Sequence, residues 1–212
     1  EGATPLKIPR HLIDCGESGA TLRFMIPVAA LAPGHVTFTL GSSLRRRPLT
    51  PLLQSLEQLG VESNFHQNEK GSSVRIRGGG INGGKVTIRG DISSQFISGL
   101  LFACPKAKKD TEISITKPLE SRNYVQMTME VLGKHGIRVF ASDNFAQLKI
   151  PSNQSYNPRN HEVPGDFSSA AFLLASAAIT SSKLKVKNLD YHTNQGDKAI
   201  LNILREMGSK VR

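Results

Sequence analysis

The sequence has little of several features that mark common classes of protein. It contains no tryptophan, and aromatic residues make up 6% of its 212 residues, so stacking surfaces for single-stranded nucleic acid are scarce. Its two cysteines, Cys15 and Cys104, form no CxxC pair, which argues against a disulfide framework or a structural zinc site. No apolar stretch reaches the roughly 18 residues of a membrane span. These absences predict a cytoplasmic protein that does not act in a membrane.

Acidic residues are the minority charge. The chain has 17 Asp and Glu against 27 Lys and Arg, a net charge of +10, which favours anionic partners without indicating a fold. The densest basic segments, Arg45–Arg47 and Lys106–Lys109, are too short for the charged tails that bind nucleic acid. None of the six histidines lies in a metal-ligand pattern. The charge alone leaves small phosphates, nucleic acid and acidic membrane open as partners; the partner we expect is a small molecule, with no nucleic acid, no membrane and no metal.

Two markers recur with one period along the chain. A phrase of glycine, an acidic residue and serine precedes an apolar run three times, at spacings of 74 and 75 residues, beginning at Gly16, Gly90 and Gly165. Glycines that end amphipathic helical stretches keep a similar spacing, at Gly60, Gly136 and Gly208. Two markers with one period indicate a duplicated supersecondary unit.

Each predicted unit has two kinds of helix. The first begins at a serine-rich cap and is apolar almost all round, as in Phe96–Ala103 and Phe172–Ile179, which predicts a buried helix. The second keeps an apolar stripe with charged residues opposite and should lie outside, at Pro51–Leu59, Val125–His135 and Ala199–Met207. The glycine after each second helix suits a left-handed C-terminal position.

Alternating apolar residues predict the strands of each unit. These strands are His35–Leu40, Val61–Phe65, Val74–Arg77, Val86–Arg89, Glu112–Ile115, Ile137–Phe140, Gln147–Ile150 and Leu184–Lys187. With the helices they give an α+β unit of βαβαββ type. The proline-containing segment Ser152–Asn160 is the most linker-like, and we predict a domain boundary near Val163, with residues 1–163 in one domain and residues 164–212 in the next.

Three polar segments at predicted helix starts carry side chains suited to anions. Ser93, Ser94 and Gln95 place two hydroxyls and an amide at one helix N-terminus, where free N–H groups attract anions. Arg45–Arg47 precede the second helix of the first unit, and Ser121–Tyr124 begin the second helix of the next unit. A guanidinium can bind a carboxylate or phosphate with two hydrogen bonds. Helix capping by the serines and a solvated basic loop are the simpler explanations. The residues alone leave both interpretations open.

Five motifs in order along the chain resemble the EPSP synthase family, the 3-phosphoshikimate 1-carboxyvinyltransferases. The motifs are GESGATLRF with Gly19 and Arg23, LRRRPLTPL with Arg47, GDISSQF with Ser93 to Gln95, ESRNY with Ser121 and Tyr124, and GDFSSAAF with Asp166. The resemblance implies an α/β (α+β) fold of the enolpyruvyltransferase type, an inside-out α/β barrel built of repeated βαβαββ units. It makes residues 1–163 two units of the first domain and residues 164–212 the opening half-unit of the second.

The resemblance also implies a reaction and its substrates. The enolpyruvyl group of phosphoenolpyruvate is transferred to the 5-hydroxyl of shikimate 3-phosphate and phosphate is released, in aromatic amino acid biosynthesis. No metal or organic cofactor is implied, and the full-length enzyme is expected to be a monomer. The family's catalytic Lys, Asp and Glu are expected outside these 212 residues, so we expect the fragment alone to be inactive.

Site residues follow from the resemblance position by position. Shikimate 3-phosphate is assigned to Ser93, Ser94, Gln95, Ser121 and Tyr124. Phosphoenolpyruvate is assigned to Gly19, Arg47 and Gln95, and Arg23 and Asp166 are placed near the hinge of the cleft.

Three positions depart from the family pattern. Glu17 stands where Asn is common and Ala20 where Thr is common, so family contacts through those two side chains are not carried over. Asn123 replaces a frequent Pro, while Tyr124 keeps its spacing.

Two alternative functions remain open from the sequence. A UDP-N-acetylglucosamine enolpyruvyltransferase would share the fold but should lack the Ser-Ser-Gln and Ser-Arg-x-Tyr segments. An RNA-binding or RNA-end-processing protein with related repeats would fit the basic charge and predicts salt-sensitive affinity for RNA. It also predicts a nucleotide-phosphate loop or a catalytic histidine, and neither is evident in the sequence.

Overall fold

The repeated phrases of the sequence correspond to two copies of one supersecondary unit. The computed structural model describes Leu6, residues 12–68 and residues 71–211. The first copy consists of β1 Leu12–Asp14, α1 Gly19–Ala29, β2 His35–Leu40, α2 Thr50–Gln58, β3 Ser63–Asn68 and β4 Gly71–Arg77. The second consists of β5 Gly84–Arg89, α3 Ser94–Ala103, β6 Thr111–Thr116, α4 Arg122–Lys134, β7 Phe140–Ala141 and β8 Gln147–Ile150. Both copies confirm the predicted βαβαββ order.

The two copies form sheets of identical topology. The first sheet has strand order β1-β2-β4-β3 and the second β5-β6-β8-β7. The leading pair of each sheet is parallel, with Leu12 opposite Thr37 and Gly84 opposite Thr111, and the other pairs are antiparallel. Parallel neighbours need a crossover between them, and α1 and α3 are those crossovers.

The contact between α1 and α3 is part of the hydrophobic core of unit 1. Leu22 and Ile26 of α1 and Phe96 and Leu100 of α3 are buried, and burying a side chain of this size stabilises the fold by about 1.5 to 3 kcal/mol. Gly99 allows the close approach, because a Cβ there would lie 2.5 Å from the carbonyl oxygen of Arg23. The prediction of buried first helices is confirmed for α1 and α3, and this packing brings their N-termini together.

The glycines after the second helices take the predicted conformation. Gly60, Gly136 and Gly208 have φ of +84°, +81° and +90°, in the left-handed region that favours glycine. A Cβ at Gly60 would lie 2.2 Å from Nδ2 of Asn82, and one at Gly136 would lie 2.4 Å from Nδ2 of Asn157. In each copy an asparagine thus packs over the glycine that ends the second helix.

The chain divides into two compact units, Glu1–Pro158 (unit 1) and Arg159–Arg212 (unit 2). Unit 1 holds both βαβαββ copies. Unit 2 contains α5 Phe167–Ile179, a short 3-10 helix at Gly196–Ala199 and α6 Ile200–Glu206. The assignment of these segments to successive domains of an enzyme stays a prediction.

Two predictions for unit 2 were wrong. Leu184–Lys187 forms no strand, because a strand needs a neighbour for its N–H and C=O groups and residues 159–211 contain no other strand. The apolar helix α5 is not buried, since Phe172 is 78% and Ile179 is 84% exposed. Within unit 2, α6 and the adjoining 3-10 helix pack against α5, and much of its apolar surface stays exposed.

Strand boundaries in unit 1 also differ from prediction. The strand predicted at Val61–Phe65 is Ser63–Asn68, and the one predicted at Ile137–Phe140 is reduced to Phe140–Ala141. In the latter case a side chain replaces the strand partner: Arg138 N–H donates to Oε1 of Gln154 at 2.7 Å, and Nε2 of Gln154 donates to the Arg138 carbonyl at 3.0 Å. Strand β1 was not predicted. Among the described residues, no helix is both long and apolar enough to cross a membrane.

Candidate functional site

A cavity of about 560 Å³ opens in unit 1 where the starts of three helices meet. The starts of α1, α3 and α4 contribute to its lining, together with the loop between β2 and α2. All the predicted site residues except Asp166 line it: Gly19, Arg23, Arg47, Ser93, Ser94, Gln95, Ser121 and Tyr124. Helix N-termini present free N–H groups and a partial positive charge, so this cavity suits an anion.

Arg23 lies at the centre of the contacts between α1 and α3. Its Nη1 donates to Oε1 of Gln95 at 2.8 Å and to Oγ of Ser93 at 3.3 Å, and its guanidinium lies 5.1 Å from the centroid of the Phe96 ring. Its Nε is buried without a hydrogen-bond partner among the described residues. Burial lowers the pKa of Arg23, and the charge of Arg47 lowers it further. A bound anion would stabilise the charged guanidinium and so counteract both effects.

Arg47 is an exposed cation beside the start of α1. A Cβ on Gly19 would lie 3.4 Å from Nη1 of Arg47 and 3.7 Å from Nη1 of Arg23, so the two guanidiniums flank the bare backbone of Gly19. The cavity lining holds these two cations and one carboxylate, Glu120. The site is therefore electropositive, and a ligand with two negative charges can contact both guanidiniums.

The serines at the start of α3 both cap and face the cavity. Ser93 is the N-cap residue, and its Oγ accepts from the N–H of Gln95 at 3.3 Å. Ser94 is buried and follows as the first helical residue. The hydroxyls of Ser98 and Thr128 are 2.8 Å apart and tie α3 to α4. The capping explanation thus holds for Ser93, and it is compatible with a ligand role because the cap lies at the cavity wall.

At the start of α4, capping does not explain the serine. Ser121 makes no side-chain cap bond and has φ of +54°, a strained conformation for a residue with a side chain. Arg122 turns elsewhere, with its guanidinium 4.1 Å from the centroid of the Phe145 ring. Ser121 and Tyr124 line the cavity with Glu120, so the hydroxyl and the phenol of this segment are available to a ligand.

Several lining residues were not predicted from the sequence. They include Phe24, Ser98, Phe102, Met127, Thr128 and Val131. Thr128 lies one helical turn after Tyr124, and its Oγ1 donates to the Tyr124 carbonyl at 2.9 Å. Helical spacing from Tyr124 could have identified Thr128, whereas the aromatic contact of Phe24 with Phe102, at 5.3 Å between ring centroids, depends on how α1 and α3 pack.

Asp166 lies in unit 2, whereas the cavity is formed by unit 1. It is the N-cap of α5, and its carboxylate accepts from the N–H groups of Ser168 at 3.1 Å and Ser169 at 2.9 Å. The hydroxyl of Ser169 is the largest of the hydrogen-bonding causes that lower the Asp166 pKa. Among the described residues, no group of three or more His, Cys, Asp or Glu side chains is arranged to hold a metal ion.

Comparisons with known proteins agree on one family. A family model described as EPSP synthase (3-phosphoshikimate 1-carboxyvinyltransferase) matches residues 2–212. The 3-phosphoshikimate 1-carboxyvinyltransferase of Methanococcoides burtonii is 48% identical over 205 residues, which are 96% of this chain and 47% of the relative. That of Methanocaldococcus jannaschii is 41% identical over 208 residues, covering 98% of this chain and 48% of the relative. The chain thus spans about half the length of the curated relatives it matches.

A solved structure shows the same fold. The EPSP synthase from Acinetobacter baumannii superposes with a TM-score of 0.73 and 23% sequence identity, covering 95% of this chain and 44% of that protein. This likeness agrees with the predicted enolpyruvyltransferase fold.

Proposed function

Because the chain belongs to the EPSP synthase family, we propose that this protein transfers the enolpyruvyl group of phosphoenolpyruvate to the 5-hydroxyl of shikimate 3-phosphate and releases phosphate. One observation carries the proposal: a single electropositive cavity in unit 1 gathers the residues that the resemblance assigns to both substrates. With the family shown, the UDP-sugar and RNA-binding alternatives are set aside.

The shikimate 3-phosphate subsite consists of hydroxyl groups at two helix starts. Ser93, Ser94, Ser121 and Tyr124 line the cavity at the N-termini of α3 and α4. Hydroxyls donate to phosphate oxygens, and the free N–H groups of the first helical turns add donors and positive potential. This arrangement supports binding of the phosphate of shikimate 3-phosphate.

The phosphoenolpyruvate subsite lies at the start of α1. Arg47 supplies a guanidinium fork beside Gly19, whose missing side chain leaves the helix N-terminus accessible. Gln95 can serve both subsites: Arg23 donates to its Oε1 at 2.8 Å, which directs the two donors of the Gln95 amide away from Arg23. We infer that Gln95 acts toward the substrates as a hydrogen-bond donor.

The arginine guanidiniums and the N–H groups of the helix starts act mainly through their positive charge. They hold two multiply charged anions side by side, which would otherwise repel, and they favour the charge that develops as the phosphate leaves. The family's catalytic Lys, Asp and Glu are expected outside this chain. The thiols are not candidates for covalent catalysis, since burial raises the pKa of Cys15 to about 11 and that of Cys104 to about 12.

We further propose that the enzyme acts in the cytoplasm as a monomer, without a metal or organic cofactor. The two cysteines are free and buried, which fits a reducing compartment.

The test is turnover by the complete gene product. We expect phosphate release only when phosphoenolpyruvate and shikimate 3-phosphate are both present, with mass spectrometry identifying the enolpyruvyl ether of shikimate 3-phosphate. The 212-residue chain alone should bind without turnover. Phosphate release with UDP-N-acetylglucosamine as acceptor, or no release with either acceptor, would contradict the proposal.

A further inference from the structure

Glu17 makes an unusual set of contacts next to the cavity. Its carboxylate reaches from the segment before α1 to the loop between β2 and α2. Oε2 accepts from the N–H of Leu44 at 2.7 Å, and Oε1 accepts from the N–H of Ser43 at 3.1 Å and from Oγ of Ser42 at 3.4 Å. One side chain thus takes three donors from three consecutive residues of the loop.

These contacts cap the turn that leads into Arg47. Leu44–Arg46 forms a 3-10 helix, and Ser43, its N-cap residue, makes no side-chain cap bond. The first N–H groups of any helix lack partners within the helix, and here the Glu17 carboxylate supplies them from another segment. The N–H of Arg47 then donates to the Leu44 carbonyl at 3.0 Å. The backbone of Arg47 is therefore set by a turn that Glu17 holds.

The start of the same loop is fixed beside Glu17. Gly41 N–H donates to the Gly16 carbonyl at 2.7 Å, and a Cβ at Gly41 would clash with the Glu17 carboxylate and would lie 2.8 Å from the Gly16 carbonyl oxygen. The segment before α1 and the loop that carries Arg47 are thus joined at two successive places.

The hydrogen bonds of this contact stabilise the negative charge of Glu17. The N–H of Ser43 is the first cause that lowers the Glu17 pKa, and the Leu44 N–H, Ser42 hydroxyl and Arg47 charge lower it too. Glu17 is not among the residues that line the cavity. Its carboxylate is therefore bonded to donors of the loop, outside the cavity lining, and it is close enough to Arg47 for the two opposite charges to attract.

We propose that Glu17 is a positioning residue that holds the turn Leu44–Arg46 so that the guanidinium of Arg47 faces Gly19. The proposal rests on the proposed function in one respect, that the anion bound by Arg47 is phosphoenolpyruvate. An amide at this position, as in the Asn common in the family, offers one acceptor oxygen, whereas the carboxylate offers two and satisfies Ser43 and Leu44 together.

The test is a double-mutant cycle in the complete gene product. Arg47→Ala should raise the KM for phosphoenolpyruvate about ten- to hundred-fold, because it removes charge-assisted hydrogen bonds. Glu17→Gln should raise the same KM about ten-fold, while the kcat and the KM for shikimate 3-phosphate change less than two-fold. In the Arg47→Ala background, Glu17→Gln should add almost nothing, because its effect passes through Arg47.

The control is Glu57→Gln, the same change at an exposed carboxylate on α2 that does not line the cavity; it should leave all kinetic constants unchanged. An unchanged phosphoenolpyruvate KM in Glu17→Gln, or an equal loss with and without Arg47, would overturn the positioning role. If the wild-type protein shows no turnover, the proposed function has failed instead. The positioning role is then judged in the 212-residue chain, where Glu17→Gln should shift the NMR signals of the Ser43 and Leu44 amides and of the Arg47 guanidinium, and a silent Arg47 would overturn it.

Discussion

At the scale of single residues, the two guanidiniums of the cavity are prepared differently. Arg23 is partly buried and held by Gln95 and Ser93, and burial lowers its pKa. Arg47 is exposed and depends on the capped turn before it. A buried cation raises the energy of the empty site, and an anion that neutralises it recovers part of that cost. Arg23 therefore favours an occupied cavity, and Arg47 is the cation that an incoming ligand can reach.

Ser121 combines backbone strain with a position at the cavity, which predicts a trade-off between stability and binding. Its φ of +54° costs about 1 to 2 kcal/mol for a residue with a Cβ. We expect Ser121→Gly to raise the free energy of unfolding by about 0.5 to 1 kcal/mol, because glycine tolerates this conformation. Affinity for shikimate 3-phosphate should fall about ten-fold, because a hydrogen bond to a charged group is lost. Urea denaturation and calorimetric titration of the 212-residue chain measure both effects.

The matched control for this prediction is Ser181→Gly. Ser181 has φ of +50° but lies in unit 2, so the same substitution should relieve strain without changing ligand affinity. A Ser121→Gly variant that binds as tightly as the wild type would remove Ser121 from the site. A variant that is less stable than the wild type would contradict the argument from strain.

At the scale of secondary-structure elements, sequence patterns predicted the features that depend on interactions between residues close in sequence. The βαβαββ order and the left-handed glycines at Gly60 and Gly136 follow from periodicity and capping, which act within a few residues. Strand β1 escaped prediction because three residues give too short a pattern. The N-terminal part of the strand predicted at Ile137–Phe140 failed because the Gln154 side chain occupies its backbone groups, a contact between residues distant in sequence.

The burial of a helix cannot be read from its own composition. Helices α3 and α5 are both apolar, yet Phe96 is fully buried while Phe172 is 78% exposed. The difference lies in the neighbours, since α3 packs against the longer helices α1 and α4, whereas the helical neighbours of α5 in its unit are α6 and a short 3-10 helix. An apolar composition indicates that burial would stabilise a helix, and the elements packed around the helix determine whether it is buried.

The cap of α5 gives a prediction at this scale. Asp166→Ala removes the acceptor of two N–H groups and should destabilise the helix by about 1 kcal/mol. Amide hydrogen exchange in the first turn of α5 should accelerate accordingly. The Asp166 pKa is lowered from 3.8, so the contribution of the cap is complete above about pH 4 and is lost as the pH falls through the lowered pKa. Below that pH the difference in exchange rate between the variant and the wild type should become smaller, because a protonated carboxyl is a weaker acceptor.

The control is Asp190→Ala, which alters an exposed carboxylate of the same unit that bonds a loop N–H at His192 and should leave exchange in α5 unchanged. Equal exchange of wild type and Asp166→Ala at neutral pH would contradict the capping role.

At the scale of the whole molecule, the cavity depends on both βαβαββ copies. The first copy contributes the start of α1 and the loop with Arg47, and the second contributes the starts of α3 and α4. Gly99 sets the approach of the two copies. Composition predicted an anionic ligand from the net charge of +10, but only the packing of α1 on α3 brings Gly19 and Gln95 to one site. The resemblance identified the residues in order along the chain, and the fold explains why they meet.

The central claim is that the unit 1 cavity binds shikimate 3-phosphate through the starts of α3 and α4. The most direct measurement is an NMR titration of the 212-residue chain with shikimate 3-phosphate, with shikimate as the control ligand that lacks phosphate. We predict saturable shifts of the amide signals from Ser93 to Gln95 and from Ser121 to Tyr124, weakened by added salt and absent with shikimate. Shifts confined to other segments, or equal shifts with both ligands, would contradict the claim.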